Sequence, residues 1–282
     1  MNSDFIEQLI DIAISEDIGN GDHTSLACIP DSATGNARLL VKEDGIIAGV
    51  ELAVLILKKI EPAIKIEILL QDGSEVKPGD VVFKVNGSVR SILQAERLIL
   101  NFMQRMSGIA TSTHNYVSKL KGLKTKILDT RKTTPGLRLI EKMAVRIGGG
   151  MNHRIGLYDM ILIKDNHIDF AGGIENSIIA AKEYLKKNNL DLKIEIEARS
   201  IDDVTKIIKT GYVTRIMLDN FSLEDTRKAV ELIDGQFEIE SSGNITIDNI
   251  RDYAECGVDY ISVGALTHHI KSLDMSLKAI DF

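Results

Sequence analysis

A chain of 282 residues, 44% hydrophobic and 27% charged, can bury the core of one large α/β domain or of two unequal ones. That composition excludes long disordered or collagen-like stretches, and a formal charge of −7 with few aromatics excludes the broad basic footprint of a nucleic-acid binder. No run of about 18 apolar residues occurs, which argues against a membrane span.

The opening stretch, MNSDFIEQLIDIAISED, sets apolar residues at helical spacing among acids, so a helix is predicted instead of an export signal, and the compartment reads as cytoplasmic. Cys28 and Cys256 match no paired metal-ligand or redox spacing and are expected to be reduced core thiols. DIGNGDHTS has the composition of a calcium loop without its closing Glu, so a polar turn is expected there. Strand-like runs follow at 37–50, 63–70 and 80–87, separated by QDGSEVKPGD and NGS, and a long amphipathic helix is predicted over 91–120. This half reads as α+β. Its run DGSEVKPGDVVFKVNG shares the hammerhead pattern of biotinyl and lipoyl carriers but offers no lysine at a hairpin tip.

After residue 122 the pattern changes to apolar strands at 125–130, 160–166, 192–198, 215–220, 237–243 and 259–265, each followed by a helical pattern. Alternation of that kind signals βαβ units and a parallel sheet. The strands end in residues a buried strand does not need, among them Asp129, Arg131, Lys132, Lys164, Glu195, Glu197, Asp219, Glu240, Ser242 and Gly264. In an α/β barrel such ends converge on one mouth, whereas an open doubly wound sheet spreads them along an edge. The barrel is favoured, although six evident strands fall short of eight.

Residues 131–164 hold seven Lys or Arg and His153 against two Asp or Glu, a cationic segment in an acidic chain, so a small anion is expected there. Part of that charge belongs to a predicted helix at 136–148, where Leu139, Ile140, Met143, Ala144 and Ile147 form an apolar stripe. Arg138, Lys142 and Arg146 fall opposite, as a solvated face. Arg131 and Lys132 follow a strand and precede Pro135, a βα loop suited to anion contact. GGGMNHRIGL fails as a dinucleotide fingerprint because His153 stands where the last Gly belongs; His153 and Arg154 remain possible contacts of an anion or a pyridine. Lys164 is open to three readings: a Schiff-base amine, a phosphate-binding cation or a salt bridge, with the neighbouring cations favouring an anion. Glu197 and Asp219, two carboxylates at one mouth, could hold Mg²⁺ with substrate phosphates or simply pair with nearby cations. ESSGN and SVGA are small-residue loops where barrels often seat a phosphate.

Taken in order, AERLILNFMQRMSGIAT, DTRKTTPGLRLIEKMAVRIGGGMNHRIGLYDMILIKDNHI, IEIEARS, IMLDNFS and SSGNITIDNI resemble the quinolinate phosphoribosyltransferases across nearly the whole chain. The resemblance implies a seven-stranded, incomplete α/β barrel over 111–267 and an α+β open-faced sandwich over 1–110, joined by the extreme C-terminus, 268–282. It implies a pentosyltransferase of NAD biosynthesis: quinolinate plus phosphoribosyl pyrophosphate gives nicotinate mononucleotide, pyrophosphate and CO₂, with Mg²⁺, in a homodimer that shares its active sites. Carried over by motif, Arg131, His153 and Arg154 would hold the dicarboxylate beside Thr130, with Arg97 reaching in from the other subunit. Lys132 and Lys164 would bind phosphate and substrate carboxylate, and Glu197 and Asp219 the metal and ribose, Glu197 matching the motif better than Glu195. Ser242, Gly243 and Asn244 would hold the 5′-phosphate with Ser262 and Gly264. A related transferase taking another heteroaromatic acid is the nearest rival, and a Schiff-base aldolase using Lys164 the rival of another class.

Overall fold

The structure, a computed structural model, describes residues 3–280; positions 1–2 and 281–282, the outer ends of the expected sandwich segments, lie outside the described residues. The chain divides into two compact units. One takes the residues up to His114, Thr134–Gly149 and those from His269 on; the other takes Asn115–Thr133 and Gly150–His268.

The first unit begins with α1 (Ser3–Ile18), α2 (His23–Cys28), β1 (Thr34–Val41), β2 (Gly45–Ile46), α3 (Val50–Ile60), β3 (Lys65–Ile68), β4 (Glu75–Val76) and β5 (Val81–Ser88). The long helix α4 (Val89–Lys119) then carries the chain into the second unit, which opens with β6 (Lys126–Leu128). After α5 (Arg138–Ile147) come β7 (Ile161–Ile163), α6 (Asp165–Ala171), α7 (Ile174–Asn188), β8 (Ile194–Ala198), α8 (Ile201–Thr210), β9 (Arg215–Asp219) and α9 (Leu223–Ile233). The chain ends with β10 (Glu238–Ser242), α10 (Ile250–Glu255), β11 (Tyr260–Ser262), α11 (Ala265–His268) and β12 (Met275–Ile280).

In the first unit an antiparallel sheet runs β12-β1-β5-β3. Alternation along β1 buries Ala37, Leu39 and Val41 on one face, opposite Val85 of β5 and Leu277 and Met275 of β12, the pattern of a sheet covered on one side only. Along α4 the buried residues Ile92, Ala95, Ile99, Met103, Met106 and Ala110 recur at three and four, giving the helix one long apolar stripe. Gly108 lies on this helix where a Cβ would overlap the carbonyl oxygen of Lys271 and stand 3.1 Å from its carbonyl carbon. Gly108→Ala is therefore expected to cost about 2–3 kcal/mol of stability, read as a lower denaturant midpoint at unchanged slope.

Helix α5 belongs to this unit because Glu141, fully buried, accepts from Arg105 Nε at 2.9 Å and from the Thr134 N–H at 3.1 Å. That anchor corrects the expected solvated face. Lys142 is only 1% exposed, and the buried set is Ile140, Glu141, Lys142, Ala144 and Val145, while Arg146 is exposed. Two further expectations change or resolve: Cys28 is exposed on α2 and Cys256 is buried, and the DIGNGDHTS turn caps α2, with Asp22 Oδ1 accepting from the Ser25 N–H at 3.0 Å.

In the second unit a fully parallel sheet runs β6-β11-β10-β9-β8-β7. The first strand pairs with the last and the rest follow in chain order, which is the cyclic order of a barrel. A seventh position exists as one parallel bridge, Leu128 to Met151, so the strand missing from the sequence count is reduced to a single residue pair. Ser200 and Ser222 cap α8 and α9 through the N–H groups of Asp203 and Asp225, fixing where two of the crossover helices begin.

Candidate active site

Because all six strands are parallel, their C-terminal ends share one rim, and most of the sequence-selected residues of the second unit lie on it, Glu195 and Glu240 excepted. Each is set there by the strand before it. Thr130 follows β6, and its hydroxyl accepts from the Lys132 N–H at 3.0 Å, turning the loop so that Lys132 projects from the strand end. The Lys132 carbonyl accepts from Thr267 Oγ1 at 2.8 Å, and Gly264 fits against the lysine stem, where a Cβ would stand 3.0 Å from Lys132 Cδ. The loops after β6 and β11 are thus in contact.

Farther round the rim, Lys164 follows β7 and pairs with Glu197 of β8. The Asp165 N–H donates to the other oxygen of Glu197 at 3.1 Å, so both carboxylate oxygens are held. This pairing fits the salt-bridge and anion-contact readings of Lys164 better than the apolar pocket an aldolase amine needs, since the side chain is nearly half exposed. Asp219 ends β9; burial first, and the neighbouring Glu197 charge second, push its carboxyl above the usual range. The Asn220 amide donates to Asp219 Oδ2 at 2.9 Å and accepts from Asn244 Nδ2 at 2.9 Å, linking this carboxylate to the loop Ser242–Asn244.

Arg131 and Arg154 form the third group. Burial lowers the Arg154 guanidinium from its ordinary value, and the like charge of Arg131 adds to the effect. His153 between the two loops is buried, with Nδ1 accepting from the Arg154 N–H at 2.7 Å and Nε2 standing 3.0 Å from Glu195 Oε2 and 3.5 Å from Glu240 Oε2. That pattern assigns the ring proton to Nε2 and turns it toward the barrel interior. Arg97 is exposed on α4 of the first unit and has no hydrogen-bond or ion-pair partner among the described residues.

Below the rim lies a cluster that sequence reasoning only half saw. Glu195 and Glu240, both fully buried, share Arg215, which stands 2.8 Å from Glu240 and 3.9 Å from Glu195 and also pairs with Glu238. The missed signal was period 2: Glu195 points inward one layer beneath Glu197, and Glu240 one layer beneath Ser242. One guanidinium cannot neutralise two buried acids, and burial pushes both carboxyls up, to about 7. The folded state therefore holds protons that the unfolded chain releases near pH 4.5. Stability from this pair is full below that pH and is lost as pH rises through about 7. Glu240→Gln is expected to remove about half of the decline between pH 5 and 8, which is on the order of 5 kcal/mol for the two carboxyls together in the parent protein, measured by chemical denaturation at fixed pH steps.

Comparison with known proteins agrees with this architecture. Residues 22–107 match the family model of the quinolinate phosphoribosyl transferase N-terminal domain, and residues 109–278 that of the C-terminal domain. The chain is similar to the chloroplastic nicotinate-nucleotide pyrophosphorylase [carboxylating] of Oryza sativa subsp. japonica, 46% identical over 97% of this chain and 77% of the relative. Among solved structures it is similar to NadC from Streptococcus pyogenes, with TM-score 0.93 and 38% identity over 100% of this chain and 99% of that one. The nicotinate-nucleotide pyrophosphorylase from Francisella tularensis gives TM-score 0.93 and 41% identity over 99% and 98%. With both family models matched in order over the two halves, the chain belongs to the quinolinate phosphoribosyltransferase family.

Proposed function

We propose that the rim of the second unit transfers the phosphoribosyl group of phosphoribosyl pyrophosphate to quinolinate and releases CO₂, giving nicotinate mononucleotide. The observation that carries this reading is Arg131 set against Arg154. Arg131 and Arg154 are both half-buried, and burial first and the Arg131 charge second lower the Arg154 guanidinium, against the opposing pull of Glu195, Asp159 and Glu197; a dianion would add to that relief. A pyridine dicarboxylate supplies two negative charges in one plane, and guanidinium forks suit planar carboxylates. Thr130 shapes the same loop, and His153 packs behind it.

The chemistry balances without a strong acid or base. The C1–O bond to pyrophosphate breaks with its electron pair leaving on the phosphate, and the pyridine nitrogen lone pair forms the new bond to C1. The ring is then cationic, so the bond from C2 to its carboxylate can break with the pair left on C2, which water protonates. In this scheme Lys132 meets pyrophosphate oxygens, Lys164 faces the substrate carboxylate, and the Ser242–Asn244 loop with Ser262 and Gly264 seats the 5′-phosphate. Positioning and fixed charge carry such a reaction, terms worth several kcal/mol each.

Glu197 and Asp219 fit Mg²⁺. Both are hard oxygen donors; burial first, and the neighbouring Glu197 charge second, raise the Asp219 carboxyl, which a cation would counter, and each Glu197 oxygen, already accepting from Lys164 or the Asp165 N–H, keeps a further lone pair for a metal. When bound there, the ion would offset charge on the departing pyrophosphate. We further propose a homodimer in which Arg97, exposed and without a partner among the described residues, completes the partner's carboxylate site. A reducing, cytosolic setting suits the two free thiols, Cys28 and Cys256.

Release of CO₂ from carboxyl-labelled quinolinate tests the reading. Release that requires both phosphoribosyl pyrophosphate and Mg²⁺, with nicotinate mononucleotide formed in step, supports it. Binding of phosphoribosyl pyrophosphate without release would keep the phosphate site and move the acceptor to another heteroaromatic acid.

A further inference from the structure

We infer that Asn220 is a positioning residue that ties the Asp219 carboxylate and the Ser242–Asn244 loop into one unit, so that the two ends of phosphoribosyl pyrophosphate are gripped in a fixed relation. The inference rests on the functional reading above and adds a residue to which that reading gives no role.

Asn220 leaves β9 in the left-handed region, φ 57°, and the chain opposite leaves β10 in the same region at Gly243, φ 89°, and Asn244, φ 51°. Left-handed backbone at a residue other than Gly costs on the order of 1–3 kcal/mol and persists only where surrounding contacts hold it. Here the contacts are specific. The Asn220 N–H donates to the Ser242 carbonyl at 2.8 Å, extending the ladder between β9 and β10 by one bond past the strand end. Its side-chain amide then packs against Gly243, where a Cβ would stand 2.5 Å from Asn220 Cγ. Only glycine allows that approach.

The orientation of the amide is fixed by its partners. The Asp219 carboxylate can only accept, so Nδ2 faces it and Oδ1 faces the Asn244 Nδ2 donor. Asn244 is held in turn by Asn249, whose Nδ2 donates to its carbonyl at 3.2 Å while Oδ1 takes the Thr246 N–H at 2.7 Å. A continuous chain of hydrogen bonds therefore runs from Asp219 through Asn220 and Asn244 to the start of α10. Loss of the central amide leaves Asp219 free to rotate and the 242–244 loop without the surface that shapes it.

Two variants test this, each compared with the parent for binding of phosphoribosyl pyrophosphate with Mg²⁺ by calorimetry and for steady-state kinetics with both substrates. Asn220→Gly keeps the left-handed backbone and removes the amide. Asn220→Asp keeps size and turn preference and sets a carboxylate against Asp219, which serves should the glycine variant fail to fold. The expected result for either is affinity for phosphoribosyl pyrophosphate weakened about 10- to 100-fold, the equivalent of one or two lost hydrogen bonds, with KM for quinolinate within about twofold. Unchanged affinity for phosphoribosyl pyrophosphate in a folded variant overturns the inference, as does an equal loss for both substrates, which marks general loosening. A parent protein that binds phosphoribosyl pyrophosphate but does not turn over quinolinate defeats the functional reading alone, and the calorimetric comparison still decides the role of Asn220.

Discussion

Lys164→Ala is expected to lower kcat for CO₂ release by about 10²–10³-fold, the cost typical of removing one preorganised charge from the site where charge changes in the transition state. Two effects add in the same direction. The ammonium that faces the substrate carboxylate is lost, and Glu197, whose side chain is 7% exposed, loses its ion-pair partner. An unpaired buried carboxylate beside Asp219 then repels the substrate that Lys164 attracted. Lys164→Arg separates the two: it keeps the charge and the pairing with Glu197, but a planar fork cannot occupy the place of a compact ammonium. Partial recovery in the arginine variant is the expected outcome. Turnover within about threefold of the parent in Lys164→Ala would remove the residue from the decarboxylation step.

The strands of the second unit were legible because a parallel strand buried on both faces reads as an apolar run, and a charged residue at its end has nowhere to go but the rim. Lys132, Lys164, Glu197 and Asp219 followed from that rule, whereas Thr130, Gly243, Asn244 and Ser262 came by motif. The interior was less legible. Glu195 and Glu240 read as further strand ends, since sequence shows period 2 but not how deep a residue lies, and Arg215 passed as an ordinary strand start. The seventh barrel position was invisible because GGGM carries no β-branched residue, and its pairing shrinks to Leu128 with Met151. In helix α5 the stripe is right at Ile140 and Ala144, which are buried, and Arg146 is exposed, but the buried face is rotated to take in Glu141 and Lys142 in place of Leu139, Met143 and Ile147, because Glu141 is drawn inward by Arg105, a partner 36 residues away that periodicity cannot reveal. The turning of His153 Nε2 toward two buried acids depends on the same long-range geometry. Asn220 sat inside the quoted motif IMLDNFS, but its importance comes from a neighbour two strand ends of chain away, at Gly243 and Asn244.

Arg131→Ala is expected to raise KM for quinolinate by about 10²–10³-fold while leaving the affinity for phosphoribosyl pyrophosphate within a few fold, the scale of breaking a desolvated charge pair. Its logic separates recognition of two carboxylates from recognition of one. With Arg131 and Arg154 both present, two guanidinium groups are available for two carboxylates, so the parent should prefer quinolinate strongly over a pyridine with a single carboxylate. Remove Arg131 and half of the attraction disappears. The preference should therefore collapse through weaker binding of the diacid, with binding of the monoacid nearly unchanged. Arg131→Lys should recover little, because a point charge does not replace the fork. Competition of labelled quinolinate against nicotinate on the parent and both variants measures the effect directly. A fall in affinity shared equally by the two acids would show that Arg131 holds the loop in shape instead of reading the second carboxylate, and would return the choice of acceptor base to other residues of the rim.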